Sequence, residues 1–271
     1  MTDRTRLRST RPTGSGWTLG GRRGKRLAAL VVAGAAAVAV PATAFAAAPQ
    51  GSSAPVPTAS AKHPVHGCSA ASFPTVQRDV EAQLSVRSAA LGALRTEVDA
   101  ASSLTASDRS ALLAALSATS STIGQLSSGV GSATTCAQLG TVERAMVRTR
   151  VFGVVTPKVR LTVAADRAGA AESVTATLEP FALQAIDAVA STGRNVSAAQ
   201  AAYARATSEV TTATAATKGV AASVLAVSPT TTSDAKAVFG QARDSLRTAR
   251  RDLTSARRDL RSIVVKLRAA G

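Results

Sequence analysis

Residues 242–262 read ARDSLRTARRDLTSARRDLRS, three consecutive blocks of seven built to one plan. Ala opens each block (Ala242, Ala249, Ala256) and Leu follows four residues later (Leu246, Leu253, Leu260). Phe239 upstream and Ile263 and Leu267 downstream extend the same alternation of three- and four-residue steps. This is a heptad seam on a helix, with Leu at one seam position and mostly Ala at the other. Ala knobs let a neighbouring backbone approach closely, so the repeat is first a packing device. The pattern predicts a helix of about 34 residues, or about 50 Å at the α-helical rise. Arg243, Arg250 and Arg257 occupy one heptad position beside the Ala seam, and Arg247, Arg251, Arg258 and Arg261 lie farther out. Only Asp244 and Arg247 form a good ion pair along the helix. Arg243–Arg247, Arg247–Arg251 and Arg257–Arg261 set like charges four residues apart. Two readings stay open. In the first the arginines are a solvated face, paired where they can be with acids on neighbouring helices such as Glu81, Glu97, Asp99 or Glu209. In the second they meet a polyanion.

Upstream, the other segments are also helical. SFPTVQRDVEAQLSVRSAALGALRTEVDAA places Val76, Val80, Leu84, Leu91, Leu94 and Val98 on one stripe, with Ser72 and Pro74 at its start. SSLTASDRSALLAALSATSSTIGQL restarts the pattern with Leu112, Leu113, Leu116, Ile123 and Leu126, after a T-x-x-D cap at Thr105 and Asp108. Two helices of similar length with a short connection pack antiparallel. The second then returns the chain to the start of the first, which brings Cys136 back to Cys68 and predicts a disulfide between them. A short helix is expected over residues 137–148. Residues 151–155 are mostly apolar and read as buried helix or extended connection. A long helix should open at Pro157 with Thr156 as its cap, end at Gly193, and kink or split at Pro180. The next helix opens with a capping-box pattern at Ser197 and Gln200 and carries Tyr203, Ala206, Val210, Ala213, Val220 and Val224 on its apolar face. Arg150, Lys158, Arg160, Asp166 and Arg167 gather around the Pro157 junction. They read as an ion-pair collar in which Asp166 pairs with a nearby Arg, or alternatively as a site for an anionic ligand.

TRVFGVVTPKVRLTVAADR resembles a segment of secreted or cell-envelope all-helical proteins of actinobacteria, in which an Arg-Val-aromatic block runs into a Pro and an Ala-Asp pair follows. The matching residues are Arg150, Val151, Phe152, Pro157, Ala165 and Asp166. VLAVSP and FGQARDSLRTARRDL are similar to the C-terminal helices of those proteins, and the resemblance spans most of residues 70–268. It implies a place outside the cytoplasmic membrane and a helical architecture, and it lends no catalytic residue.

The N-terminus sets the expected compartment independently. Residues 1–26 hold eight Lys or Arg and one Asp. The uncharged stretch LAALVVAGAAAVAV follows, then small residues spaced for cleavage after Ala46 or Ala48. This is the plan of a secretory signal peptide. The apolar stretch is short for a span of about 20 residues, although with the alanines that follow it could serve as an uncleaved anchor. The net charge of +16 is partly this leader. Beyond residue 46 there remain 24 basic and 15 acidic residues, with nine of the basic and three of the acidic after Gly240. Residues 47–67 are rich in Pro, Ser and Ala and read as a linker. His63 and His66 lie there and do not supply the three or four converging ligands a metal site needs.

Catalysis needs converging groups. No His lies outside the linker, both Cys are expected to be bonded, and no G-x-S-x-G, H-E-x-x-H or P-loop pattern occurs. Met146 and Tyr203, the remaining candidates for haem ligation, suit packing. The expectation is therefore a non-enzymatic exported protein with no metal or cofactor. Its signal peptide covers 1–46, its linker 47–67 and a helical domain 68–270. The fold class is all-α, an elongated antiparallel bundle with a long C-terminal heptad helix and one disulfide-stapled helical hairpin. It is expected to act by surface contacts in the cell envelope or extracellular space. Its partner would be an anionic cell-wall polymer or membrane surface, reached through Arg243, Arg247, Arg250, Arg251, Arg257, Arg258 and Arg261, or else a second copy or another helical protein. Nucleic acid is disfavoured, because export removes it and no aromatic platform is interleaved with the arginines.

Overall fold

The computed structural model describes residues 67–229 and 232–270, so the leader and nearly all of the linker, with His63 and His66, lie outside the described residues. The described chain is all-α. Its helices are α1 (Phe73–Ala100), α2 (Ala106–Ser132), α3 (Cys136–Thr149), α4 (Thr156–Ala190), α5 (Ser197–Thr217), α6 (Val220–Leu225) and α7 (Thr232–Ala269), with a π-helical turn at Val151–Val155.

The hairpin forms as its stripes require. In α1 the buried residues are Val76, Val80, Leu84, Leu91, Leu94 and Val98, and they meet Leu112, Leu116, Ile123 and Val130 of α2. Leu113 and Leu126 pack at the edge of this core. The turn between the helices is tied three ways. Thr105 caps α2 by accepting from the Asp108 N–H at 3.1 Å. Arg109 reaches back to the last carbonyls of α1, donating to Val98 O at 2.6 Å, Asp99 O at 3.1 Å and Ala101 O at 2.6 Å. A cation at a helix C-terminus also meets the negative end of its dipole. At the other end of the hairpin, Gln77 donates to Val130 O at 2.9 Å, and Cys68 and Cys136 form the disulfide with Cα atoms 5.8 Å apart. Such a bond belongs to an oxidising environment.

α3 starts on a complete capping box between Thr135 and Gln138 and ends at Arg150, whose φ of 47° and ψ of 41° are left-handed. The π-helical turn follows at once. It buries Val151, Val154 and Val155 and leaves Phe152 outside. α4 continues directly from it, so Thr156 is already helical and caps nothing. Its hydroxyl donates to Val151 O at 3.0 Å. α4 passes through Pro180 as one helix. A splitting Pro is overridden when packing holds both sides, and here Ala171 before it and Ile186 after it are buried against other helices.

The π-helical turn and α4 together serve two cores. Val155 of the turn with Val159 and Val163 of α4 join the hairpin core, while Val154 of the turn with Leu161 and Ala165 of α4 join α6 and the start of α7. Farther on, Ala171 meets Ala213 of α5 and Ala249 and Leu253 of α7, and Ile186 meets Ala199 and Ala202 of α5 and Ile263 of α7. These pairings make α5 antiparallel to both α4 and α7, and α4 and α7 parallel to each other. The heptad seam is the buried face of α7: Phe239, Ala242, Ala249, Leu253, Ala256 and Ile263 are each at most 4% exposed. The helix has 38 residues and is about 57 Å long.

Two further expectations about caps and breaks fail. The Ser197–Gln200 pattern makes no capping box. Val196 takes the cap position, and the Asn195 side chain accepts from the Ser197 N–H at 3.0 Å instead. The helix expected to run on to Val224 stops at Thr217. Gly219, at φ 75°, turns the chain so that α6 can bury Val220 and Val224 against α4 and α7.

Candidate functional site

α7 carries its charge on faces flanking the seam. Arg243, Arg247, Arg250, Arg251, Arg258 and Arg261 are exposed, and Arg257, one position after Ala256, is half-buried. Burial and the neighbouring Arg261 lower the pKa of Arg257. Lys236 and Arg268 belong with them, and both are exposed. Together Lys236, Arg243, Arg247, Arg250, Arg257, Arg261 and Arg268 recur at steps of three, four or seven, which is one continuous stripe. The spacing that defines the repeat extends to Lys236 and Arg268, and that was the signal for them.

The acids of α7 are placed otherwise. Asp244 pairs with Arg247 at 2.7 Å on the exposed side. Asp252 is buried and accepts from Arg251 at 3.0 Å, and Asp259 accepts from Arg205 of α5 at 2.9 Å. Both lie three residues after a seam Ala, on the flank that faces α5. Glu209 joins them from α5. Desolvation, then Asp259 and Asp252, push its carboxyl above the ordinary range, while Arg258 and Arg205 oppose the shift. The α5 flank of the seam is thus acid-rich and internally balanced. Along the stripe, Arg243, Arg250 and Arg261 have no carboxylate within 4 Å among the described residues. Of the acids expected to neutralise the row, Glu209 interacts with Arg258, and Glu97 instead lies 3.9 Å from Arg160.

Glu209 gives a pH dependence with a definite sign. A carboxyl with a raised folded-state pKa takes up its proton in the folded chain before the unfolded chain does. Its effect therefore stabilises the fold as pH falls from neutral toward the ordinary value of 4.5. Glu179 and Asp166 are shifted the same way, both first by desolvation. The expected result is a thermal midpoint that rises between about pH 7 and about pH 5, and a shallower rise in Glu209→Gln. Equal slopes in the two proteins would exclude the carboxylate as a contributor.

The collar at Pro157 is rearranged. Among the described residues Asp166 pairs with no Arg. Its Oδ2 accepts from the Thr105 backbone N–H at 2.8 Å, supplying from α4 the half of the α2 cap that Asp108 leaves unmade. Lys158 donates to Leu225 O at 3.0 Å, and burial lowers its pKa. Arg150 goes elsewhere, into a groove of about 430 Å³ at the meeting of α1, α3, the π-helical turn and the first turns of α7. Arg87, Arg150, Lys236 and Arg243 line it, together with Val147, Phe152 and Phe239, and no Asp or Glu does among the described residues. Arg87 was not singled out by the sequence, because only the fold brings α1 beside the π-helical turn.

Met146 is a core side chain, 1% exposed, and Tyr203 packs beside Ala199 and Ile263. Among the described residues no three His, Cys, Asp or Glu side chains converge as a metal site, and no helix is long and apolar enough to cross a membrane. No protein-family model matches the chain, and neither does any curated protein or solved structure.

Proposed function

We propose that this is an exported, non-enzymatic helical-bundle protein of the cell envelope or extracellular space, and that it works by laying the basic stripe of α7 on an anionic cell-wall polymer. The observation that carries the reading is the sorting of charge on one helix. Asp252 and Asp259 of α7 turn toward α5 and Asp244 is taken up by Arg247, while among the described residues the stripe keeps Arg243, Arg250 and Arg261 without carboxylate partners. A helix that needed only to stay wet would gain from mixing the two signs on its outer face. Stripe positions are filled by Arg, Lys, Gly or Thr as far as Arg261, so the face offers charge without the apolar wedge a membrane-inserting helix presents. The Cys68–Cys136 bond and the leader-like N-terminus support a place outside the cytoplasmic membrane.

Sedimentation with purified cell-wall material tests this. The protein should pellet at low salt and be released by about 0.5 M salt, where the screening length falls to roughly 4 Å. Arg250→Gln combined with Arg261→Gln should weaken binding about tenfold, at roughly 1 kcal/mol for each cation less some screening. No binding at low salt would remove the reading. Binding to anionic liposomes but not to wall polymer would move the partner to the membrane.

A further inference from the structure

We propose that the groove between α1, the π-helical turn and α7 is a binding site for an organic phosphate, with the phosphoryl group among Arg87, Arg150, Lys236 and Arg243 and the apolar part of the ligand on Phe152. The site shares Lys236 and Arg243 with the start of the stripe, but it does not depend on the polymer contact assigned to Arg250 and Arg261.

Charge is the first argument. Four cations from three separate parts of the chain line one cavity, and no acid accompanies them among the described residues. A single carboxylate would offset one of them. A phosphate monoester carries about 1.5 to 2 negative charges at neutral pH and offers three acceptor oxygens. Guanidinium groups match such oxygens in pairs.

Arg87 is the second. It is half-buried and, among the described residues, has no carboxylate within 4 Å and one hydrogen bond, to Gln83 O at 3.0 Å. Its guanidinium carbon stands 5.7 Å from the centre of the Phe152 ring, and burial lowers its pKa. A guanidinium with most of its donors unused, held against an aromatic face, is ready to accept an anion.

The backbone is the third. Arg150 occupies the left-handed position after α3, where glycine is at ease and a side chain costs roughly 1 kcal/mol. The π-helical turn follows immediately, and such turns concentrate at functional sites. Between them they put a large cation and a 41% exposed aromatic ring on the same groove, next to Val147, itself 48% exposed. The volume falls within the usual range for small-molecule sites.

The probe is phenyl phosphate, titrated into the full mature chain by calorimetry alongside inorganic phosphate. Saturable binding of phenyl phosphate is expected, with inorganic phosphate weaker. Arg87→Gln and, separately, Lys236→Gln should each weaken phenyl phosphate about tenfold, as for loss of one charge-assisted hydrogen bond. Phe152→Ala should reduce phenyl phosphate to the affinity of inorganic phosphate. Arg250→Gln with Arg261→Gln should change neither, although it weakens polymer binding. Circular dichroism checks that each variant folds, and two variants on different helices guard against one failing to. Failure to saturate, or equal loss from the Arg250 and Arg261 changes, would overturn the site. Vesicles containing phosphatidic acid identify the source. If they compete with phenyl phosphate the natural ligand is a lipid headgroup, and if they do not it is a soluble phosphate ester. Either result supports the assigned chemistry.

Discussion

Replacing both Cys68 and Cys136 with serine lowers the thermal midpoint of the helical body by roughly 10 °C. The bond closes a loop across a sequence separation of 68 residues. In the chain-entropy account, releasing a loop of that size gives back to the unfolded state about 4 kcal/mol of freedom. For a domain of some 200 residues each kcal/mol moves the midpoint by about 2–4 °C. The loss is felt at one end of the hairpin. Cys68 precedes α1 and packs against its core, Cys136 opens α3, and besides the disulfide the Gln77 to Val130 hydrogen bond is the side-chain tie there. Without the bond the ends of α1 and α2 are held by the core around Val76, Val80, Val130, Ala133 and Leu139 and by that hydrogen bond. The wild-type protein in reductant should unfold at the midpoint of the double variant. Melting followed by circular dichroism measures both, and a fall of less than about 3 °C would mean that the bond closes a loop already ordered in the unfolded chain.

The parts of this fold that could be read from the sequence are those set by local spacing. The six stripe positions of α1 are the six it buries, and on α7 the seam alanines are buried with Phe239, Leu253 and Ile263 while Leu246, Leu260 and Leu267 are half-buried at its edge. The disulfide followed from the hairpin, because two helices of near-equal length return the chain to its start. Other features depend on which distant groups the fold brings together. Thr135–Gln138 and Ser197–Gln200 present the same four-residue cap pattern, yet only the first closes as a box, since Asn195 supplies a competing acceptor at the second. The sequence gathers Arg150, Arg160 and Arg167 around Asp166. Asp166 bonds instead to a backbone N–H 61 residues away, because the register of α4 against the α1–α2 turn puts it there. The break at Gly219 is decided by what α6 can bury and not by the propensity of its own residues. The groove shows the limit most clearly. Arg150 and Arg243 were visible as charges, but Arg87 and the outward Phe152 acquire meaning only when α1 lies against the π-helical turn.

The alternation of Ala and Leu on α7 should prove intolerant in both directions. Ala249 is fully buried where α4, α5 and α7 converge, and the residues it meets from the other two helices are Ala171 and Ala213. Three methyl groups at one level leave no side chain that could rotate aside. Ala249→Leu must push the backbones apart along much of the bundle, at a cost of about 3 kcal/mol, the upper part of the range for overpacked cores. Leu253, one turn on and also fully buried, fills the space that the alanines leave. Leu253→Ala should cost about 3 kcal/mol through lost transfer energy and the cavity left behind, since helices already in contact through alanine cannot close in further. The exposed Ala237 on the same helix is the control, and Ala237→Leu should stay within about 0.5 kcal/mol of wild type. Carrying both seam changes at once restores the total volume but puts the bulk one turn too early. The double variant should therefore recover little, with the two losses adding to within roughly 1 kcal/mol. Urea unfolding of the four variants measures all of this. Ala249→Leu as stable as wild type would show that the three helices do not close through alanine at that level. The tight-packing account of the repeat would then fall, leaving its arginines as the sole reason for the seven-residue period.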